Sequence, residues 1–455
     1  MIDATQIAAA MQVPCLLSGD MIQQMQLWEE LYLNRAGWIR NRIRSCHIPA
    51  NIAQELKRLT LTEFSATVHD AAELEQAVSR VLPKLRRKMD FGLAIGGLLL
   101  KPYFTAQGVS VDIVPQNAYL PVNYTDDSCD AVVCPEEISI GRDYFTRLEL
   151  HVYSRLRQTH TIQNRCFRSA SPGTLGTECS LDAVPQWADV LPEKVYENVQ
   201  RPLFAIFQTP DSNNIDPTSP LGVSVFADAV DFIRDADEHW ERILWELESS
   251  ERAIDATEDL FRTAPEVLSR YREGKPVLPK GRERMFRSYE KTDGQSFINT
   301  FSPEVRDTAY FHAFNQILRR IENAVGLSYG TLSEVSDVEK TAEEVRSSKQ
   351  RSFSRVKDIQ ENLRNALEQM LYGMQFYQDY YRSQNSPPVK ATFNFGDGVL
   401  EDPDVEYQRR VQMVRDGLLK PSLFLAWYFD CSEEKAAQMM PERQDDGGLF
   451  SGGEI

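Results

Sequence analysis

The stretch Gly222 to Arg252 constrains this chain more than any other. It reads GVSVFADAVDFIRDADEHWERILWELESSER, with no Pro and no Gly after its first residue. Phe226, Val230, Ile233, Trp240, Leu244 and Leu247 recur at steps of three, four and seven, which predicts one continuous helix with a single apolar stripe. About 27 helical residues at 1.5 Å each make a rod on the order of 40 Å long. Its other faces carry Asp228, Asp231, Asp235, Asp237, Glu238, Glu241, Glu246, Glu248 and Glu251 against Arg234, Arg242 and Arg252. A solvated acidic face on a surface helix accounts for the charges by themselves. It does not account for the stripe, because one narrow stripe cannot bury so long a rod in the core of a monomer.

The composition then changes sign. Between Arg262 and Lys291 nine basic residues stand against four acidic ones, within a chain whose net charge is −17. The basic ones include Arg270, Arg272, Lys280, Arg282, Arg284 and Arg287. Pro265, Gly274, Pro276, Pro279, Gly281 and Gly294 predict a small module of turns and short strands. A second rod follows, expected to start at Ser302–Pro303 as cap and first helical residue. Val305, Ala309, Ala313, Ile317, Ile321 and Val325 repeat every four residues until Gly326. Two rods flanking a basic module predict a helical hairpin with that module at its tip. The segment LSYGTLSEVSDVEK (327–340) reads as a loop. Thr341 with Glu344 predicts a capping box that launches the longest helix, to about Arg382. Val345, Val356, Ile359, Leu363, Leu367, Met370 and Met374 mark its buried stripe.

The N-terminal third mixes helices and strands. A helix is expected over roughly 22–46, another after Pro49, and a third from an Asp70/Glu73 capping box to Phe91. The glycines of GLAIGG then predict a helix-to-strand turn. As a phosphate loop this motif lacks the G-K-[ST] ending and the preceding strand. Period-two alternation predicts strands at 98–104, 109–114, 145–153 and 160–167, hence an antiparallel meander. A Pro-rich, loop-like passage spans 171–220. Within it, Asp211, Asn213 and Asp216 fall short of a calcium loop, which needs a Gly and a closing Glu; Asx turns suit them better. After SQNSPP (383–388) come a strand, a helix starting at Asp402–Pro403 and running to Gly417, a short helix after Ser432, and a tail whose composition predicts disorder.

The totals exclude several classes. The length suits two to four domains with a real core. A net charge of −17 is the wrong sign for a protein that reads nucleic acid by neutralising phosphates. The seven cysteines are scattered without a C-x-x-C pair, so free thiols are expected and zinc is not. No metal or other cofactor is expected. G-x-S-x-G, Walker A and H-E-x-x-H motifs do not occur, and the six histidines are isolated, so no enzyme is expected. His239, among Asp237, Glu238 and Trp240, is expected to be salt-bridged. The longest apolar runs are too short to span a bilayer, and the start lacks a positive n-region, so the expected site of folding is the cytoplasm.

Taken in this order, the pieces resemble a tailed-bacteriophage portal protein of the type found in siphophages of Gram-positive bacteria. RPLFAIFQTPDSNNIDPTSPLGVSVFADAVDFIRDADEHWERILWELE (201–248), GLSYGTLSEVSDVEKTAEEV (326–345) and FNFGDGVLEDPDVEYQRRVQMVRDGLL (393–419) carry the resemblance, which extends over nearly the whole chain. It implies an α+β fold with a wing over 1–221 and the long helix 342–384, and a helical stem over 222–250 and 302–326. It also implies a small α/β clip at 251–301, a tunnel loop at 327–341, and a helical crown and tail over 385–455. Family members assemble as rings, usually dodecamers, at one capsid vertex, so the implied place is the virion. The implied partners are double-stranded DNA, held without sequence preference, the terminase large subunit, a head-completion adaptor, and the major capsid and scaffolding proteins, with no membrane. The implied channel lining is Asp228, Asp231, Asp235, Glu238 and Glu241. The implied tunnel loop includes Leu332, Ser333, Glu334, Val335, Ser336 and Asp337, and the basic clip residues are implied to dock a partner. The competing reading is a cytoplasmic helical scaffold or adaptor with no role on DNA.

Overall fold

A computed structural model describes residues 2–40, 43–125, 128–251, 253–257, 286–289, 298–334, 342–396, 403–429 and 433–440. The chain divides into two compact units, one of Met1–Leu61 with Ala66–Phe393 and one of Thr62–Ser65 with Asn394–Ile455.

In the larger unit, α1 (Ala4–Met11) starts behind Asp3, whose carboxylate accepts the Thr5 N–H, and α2 (Gly19–Tyr32) behind Ser18, which accepts from Met21. The helix expected over 22–46 thus stops at Tyr32. Asn34 takes a left-handed φ of 57°, which breaks the helical path although Ile39 and Ile43 continue the spacing. Next come α3 (Ile48–Leu61), β1 (Ser65–Val68) and α4 (Ala72–Ile95). The expected Asp70/Glu73 capping box does not form. Asp70 sits at a φ of 56°, and the residue preceding α4, Ala71, has no side chain to cap with. Helix α4 also runs past Phe91, through Gly92, and ends at Gly96 in a left-handed conformation of φ 102°. Gly92 to Ile95 of GLAIGG are therefore helical, and only Gly96 makes the expected helix-to-strand turn.

The strands then follow in two sheets: β2 (Gly97–Thr105) and β3 (Gly108–Pro115), then β4 (Leu120–Thr125), β5 (Ser128–Ile140), β6 (Asp143–Ser154), β7 (Thr159–Ser169), β8 (Thr177–Cys179), β9 (Glu193–Tyr196) and β10 (Ala205–Gln208). The order β10-β2-β3 forms an antiparallel sheet, and β4-β5-β6-β7-β8 forms a second, with β9 also on β7. After α5 (Val230–Ser249) come β11 (Ala253–Thr257), β12 (Phe286–Tyr289) and β13 (Ile298–Phe301), with β11 parallel to β12 and antiparallel to β13. Then follow α6 (Asp307–Val325), α7 (Ala342–Arg382) and β14 (Ala391–Asn394), which pairs with β1. Helices and antiparallel sheets are segregated, so the class is α+β.

One face of the large sheet buries Leu120, Val133, Leu148, Leu150 and Phe167 against Ile7, Ala8 and Met11 of α1. On α7, every predicted stripe residue from Val356 to Met374 is buried, while the side chain of Val345 and the cap residue Thr341 lie outside the described residues. In the smaller unit, α8 (Pro403–Arg415), α9 (Pro421–Tyr428) and α10 (Glu433–Gln438) follow one another. Phe64 packs on Phe395 at 4.7 Å, and the Arg410 guanidinium stands 4.4 Å from the centre of the Trp427 ring. Asp402, Ser432 and the tail after Met440 are outside the described residues.

The second face of β6 departs from simple alternation. Glu149 and His151 are buried, as Leu148 and Leu150 are on the opposite face. They survive there because each polar atom is paired. Lys101 Nζ donates to Glu149 Oε2 at 2.7 Å, Arg147 stands 3.0 Å from the same oxygen, and His151 Nε2 lies 2.8 Å from Oε1. His151 Nδ1 meets His160 Nε2 at 3.0 Å, and His160 Nδ1 accepts the Leu203 N–H at 3.5 Å. One directional chain satisfies all these contacts: His160 Nε2–H donates to His151, and His151 Nε2–H donates to Glu149. Burial pushes both histidines down, well below the usual value for His160. Lys101, His151 and Arg147 hold Glu149 well below the usual carboxylate range against the opposing effect of burial. All three folded-state values lie below the unfolded ones, so the unfolded chain binds more protons as pH falls. Stability is therefore full above the ordinary histidine value of 6.5 and declines below it, with Glu149 adding to the loss below 4.5. Melting temperature is expected to fall steadily between pH 7 and 5, and His160→Gln is expected to flatten that slope while lowering the plateau. Thermal melts across this range check both.

Candidate functional site: the helical hairpin and its loop

The expected rod begins later than its sequence pattern. Residues 222–226 are not helical. A short 3₁₀ turn occupies 227–229, and α5 starts at Val230. Backbone crowding explains the delay. Gly222 packs directly against the carbonyl of Gly96, where a Cβ on either residue would collide. Gln116 bridges them, its Nε2 donating to the carbonyls of Ile95 (3.1 Å) and Gly222 (2.8 Å) and its Oε1 accepting the Gly222 N–H (3.1 Å). The Thr209 hydroxyl donates to Val223 O at 2.6 Å, and Leu221, Val223, Val225 and Phe226 are buried. The hairpin is thus rooted in the sheet by extended backbone that spends its hydrogen bonds outside a helix.

Above this root, α5 packs along α6. Ala229 of the 3₁₀ turn, Ile233, Ala236 and Ile243 on α5, and Ile321 and Val325 on α6 are buried. Two residues read as part of the solvated acidic face are instead inside. Asp237 accepts the Trp38 indole N–H at 3.0 Å and the Cys46 N–H at 2.7 Å. Glu246 takes a bidentate pair from Arg306 at 2.7 and 3.0 Å, and that guanidinium holds its carboxyl below the usual range. Arg306 occupies the N-cap position of α6 without a side-chain capping bond, and α6 begins at Asp307 rather than at the expected Ser302–Pro303 pair. Among the described residues His239 has no salt-bridge partner. Its Nε2 lies 3.0 Å from the Tyr310 carbonyl, and its ring stacks on Phe314.

Of the acidic residues expected to line a channel, Asp228, Asp231 and Asp235 are exposed, and Glu238 and Glu241 are half-buried. Asp228, Asp231, Asp235 and Glu238 recur at helical spacing on one face. Asp228 accepts from Asn214 at 3.1 Å, and Glu238 pairs with Arg234 at 3.0 Å. The apolar stripe is covered at the root and bare at the far end. Leu247 is 45% exposed, Trp245 49% and Phe311 44%. Val305 and Ile298 are exposed as well.

The loop after α6 is held by a residue that the sequence reading passed over. Glu322 is fully buried, and its Oε1 accepts the backbone N–H groups of Gly330, Leu332 and Ser333 at 3.1, 2.6 and 2.8 Å. Its Oε2 accepts the Ser333 hydroxyl at 2.8 Å. Asn315, two helical turns earlier, accepts the Glu334 N–H at 2.8 Å and donates to the Glu334 carbonyl at 3.4 Å. Leu332, Ser333 and Glu334 are therefore fixed to α6 by two side chains. Val335, Ser336 and Asp337 lie outside the described residues, as do Arg270, Arg272, Lys280, Arg282 and Arg284 and the side chain of Arg287. In the passage before the root, Asn213 Oδ1 accepts the N–H groups of Ile215 and Asp216, an Asx turn, and Asp211 pairs with Arg355.

No family model matches the sequence, and no curated protein matches it. Among solved structures, the chain is similar to one described as "Neck of empty GTA particle computed with C6 symmetry", with 13% identity and a TM-score of 0.42 over 94% of this chain and 100% of that one. Among the described residues, no helix is long and apolar enough to cross a membrane.

A signal for Glu322 existed in the sequence. It is an acid one step off the Ile321–Val325 stripe, where a solvated face would not place it. Replacing it with Ala takes the acceptor from the Leu332 and Ser333 N–H groups, while the Gly330 N–H keeps the Ser333 hydroxyl at 3.2 Å, at a cost of about 1–3 kcal/mol. Glu322→Ala is expected to lower stability by that amount and to speed hydrogen exchange at Gly330, Leu332 and Ser333. Glu322→Gln, which keeps one acceptor oxygen, is expected to fall between. Exchange mass spectrometry with a denaturant melt checks both.

Proposed function

We propose that this chain is the subunit of a portal ring, the channel at one capsid vertex of a tailed phage through which double-stranded DNA enters and leaves. The observation that carries the reading is the hairpin of α5 and α6, rooted in a buried backbone cluster and bare at its far end. Two helices cover only one stripe of each other, so the exposed Leu247, Val305 and Phe311 require a further layer. Identical neighbours in a closed ring supply that layer to every copy at once. In such a ring Asp228, Asp231, Asp235, Glu238 and Glu241 form or approach the channel wall. Duplex DNA carries about one charge per 1.7 Å, so a basic wall would hold it while an acidic one repels its phosphates and lets it slide. The chain makes and breaks no bond. The loop held by Glu322 is the reading's constriction, and the basic module 251–301 is its docking tip for the terminase large subunit and then for a head-completion adaptor. The wing, stem, clip and crown assignments belong to this proposal, as do the virion location and the capsid partners.

Electron micrographs of the purified chain test it. Rings with a central hole and one rotational symmetry are expected, and a paired Leu247→Asp, Phe311→Asp variant is expected to melt within a few degrees of the parent yet form no rings. Monomers or dimers at every concentration, with or without capsid proteins, would instead favour a helical scaffold with no role on DNA.

A further inference from the structure

A pair of reactive groups far from the hairpin has no part in that reading. Cys166 on β7 and Cys179 on β8 are direct partners across the antiparallel ladder, and the Cys179 thiol donates to Cys166 Sγ at 3.3 Å. Both sulfurs sit in a small apolar cluster with Phe145, Leu181, Val184 and Trp187. Cys166 is buried and Cys179 is half-exposed. Directly opposed residues in an antiparallel pair have Cα atoms about 4.5–5.5 Å apart, within the range of about 4.4–6.8 Å that a disulfide bridges. The chain reaches this pairing through a tight return. Gly176, at a φ of 74°, lies directly against the Arg168 carbonyl, where a side chain would collide.

The segment these cysteines control is a thin flap. Residues 171–190 are mostly exposed, and Leu175, Leu181, Val184 and Trp187 are their buried side chains. Strand β8 is three residues long, and the Arg165–Glu178 pair on it is open to solvent. Such a flap opens locally at low cost.

We propose that Cys166 and Cys179 are a redox modification site, closed by a peroxide-class oxidant into a cross-strand disulfide that latches residues 177–190 to the sheet. The half-exposed Cys179 reacts first. Its sulfur attacks a peroxide oxygen, the O–O bond breaks, and with hydrogen peroxide the products are Cys179 sulfenic acid and water. Cys166 sulfur then attacks the sulfenyl sulfur. The S–S bond forms, the S–O bond breaks, and the departing hydroxide takes the Cys166 proton as a second water. Two thiols lose two electrons and one peroxide is reduced to two waters. Burial pushes the Cys166 thiol up to about 12, so peroxide is not attacked there first, and Cys166 acts as the resolving thiol that gives up its proton as it attacks the adjacent Cys179 sulfur. A dithiol reductant reverses the closure.

The test uses the intact chain and does not depend on ring assembly. The folded protein is exposed to hydrogen peroxide, quenched with an alkylating agent in denaturant and digested, and the peptides are weighed. The expected product joins Cys166 to Cys179, is two hydrogens lighter than the reduced pair, is released by dithiothreitol, and is absent from Cys179→Ser. Exchange of the 177–190 amides is expected to slow in the oxidised chain. Recovery of both residues as alkylated thiols under conditions that oxidise the exposed Cys15 would overturn the site. A disulfide that leaves exchange in 177–190 unchanged would overturn the latch.

Discussion

Everything distinctive in this molecule depends on how far a two-helix layer can cover itself. At the root, α5 and α6 are flanked by further elements, and Ala229, Ile233, Ile321 and Val325 are sealed. Beyond Ile243, among the described residues, α5 meets α6 through Glu246 and Arg306. The Arg306–Glu246 pair clamps them side by side there, but it cannot cover Leu247 or Phe311. The far end is held in register by polar contacts and left apolar on its surface, a combination suited to a neighbour arriving from outside.

Buried polar groups set the position of this hairpin, and each does so by satisfying backbone groups that have no helical or sheet partner. Gln116 fixes Gly222 against the end of α4, and Asp237 ties α5 to the segment around Cys46. Glu322 gathers three N–H groups of the following loop onto α6. Hydrogen bonds of this kind are directional, so they specify geometry where apolar packing would tolerate slippage. The Lys101–Glu149–His151–His160 chain does the same work between β2, β6 and β7.

Local periodicity made much of this legible in the sequence. The alternation at 145–153 and 160–167, the stripe of α7 from Val356 to Met374 and the end of α6 at Gly326 all follow from spacing or turn chemistry within a few residues. What spacing could not show was long-range pairing. Asp237 and Glu246 look like surface acids until Trp38, Cys46 and Arg306 arrive from elsewhere in the chain. The alternation at 147–151 correctly predicts a strand, yet its polar face is buried because Lys101 comes from another sheet. Ser302 and Asp70 were plausible caps, but tertiary geometry set the helix starts at Asp307 and Ala72. The basic residues expected at the tip lie outside the described residues.

The central claim is that the far end of the hairpin is covered by other copies of this chain. Hydrogen exchange on separated monomeric and assembled fractions tests it most directly. The account predicts that amides in 243–249 and 307–314 exchange quickly in the monomer and slowly in the assembly, while those around Ile321 are slow in both. Equal, slow exchange at 243–249 in the isolated monomer would contradict it.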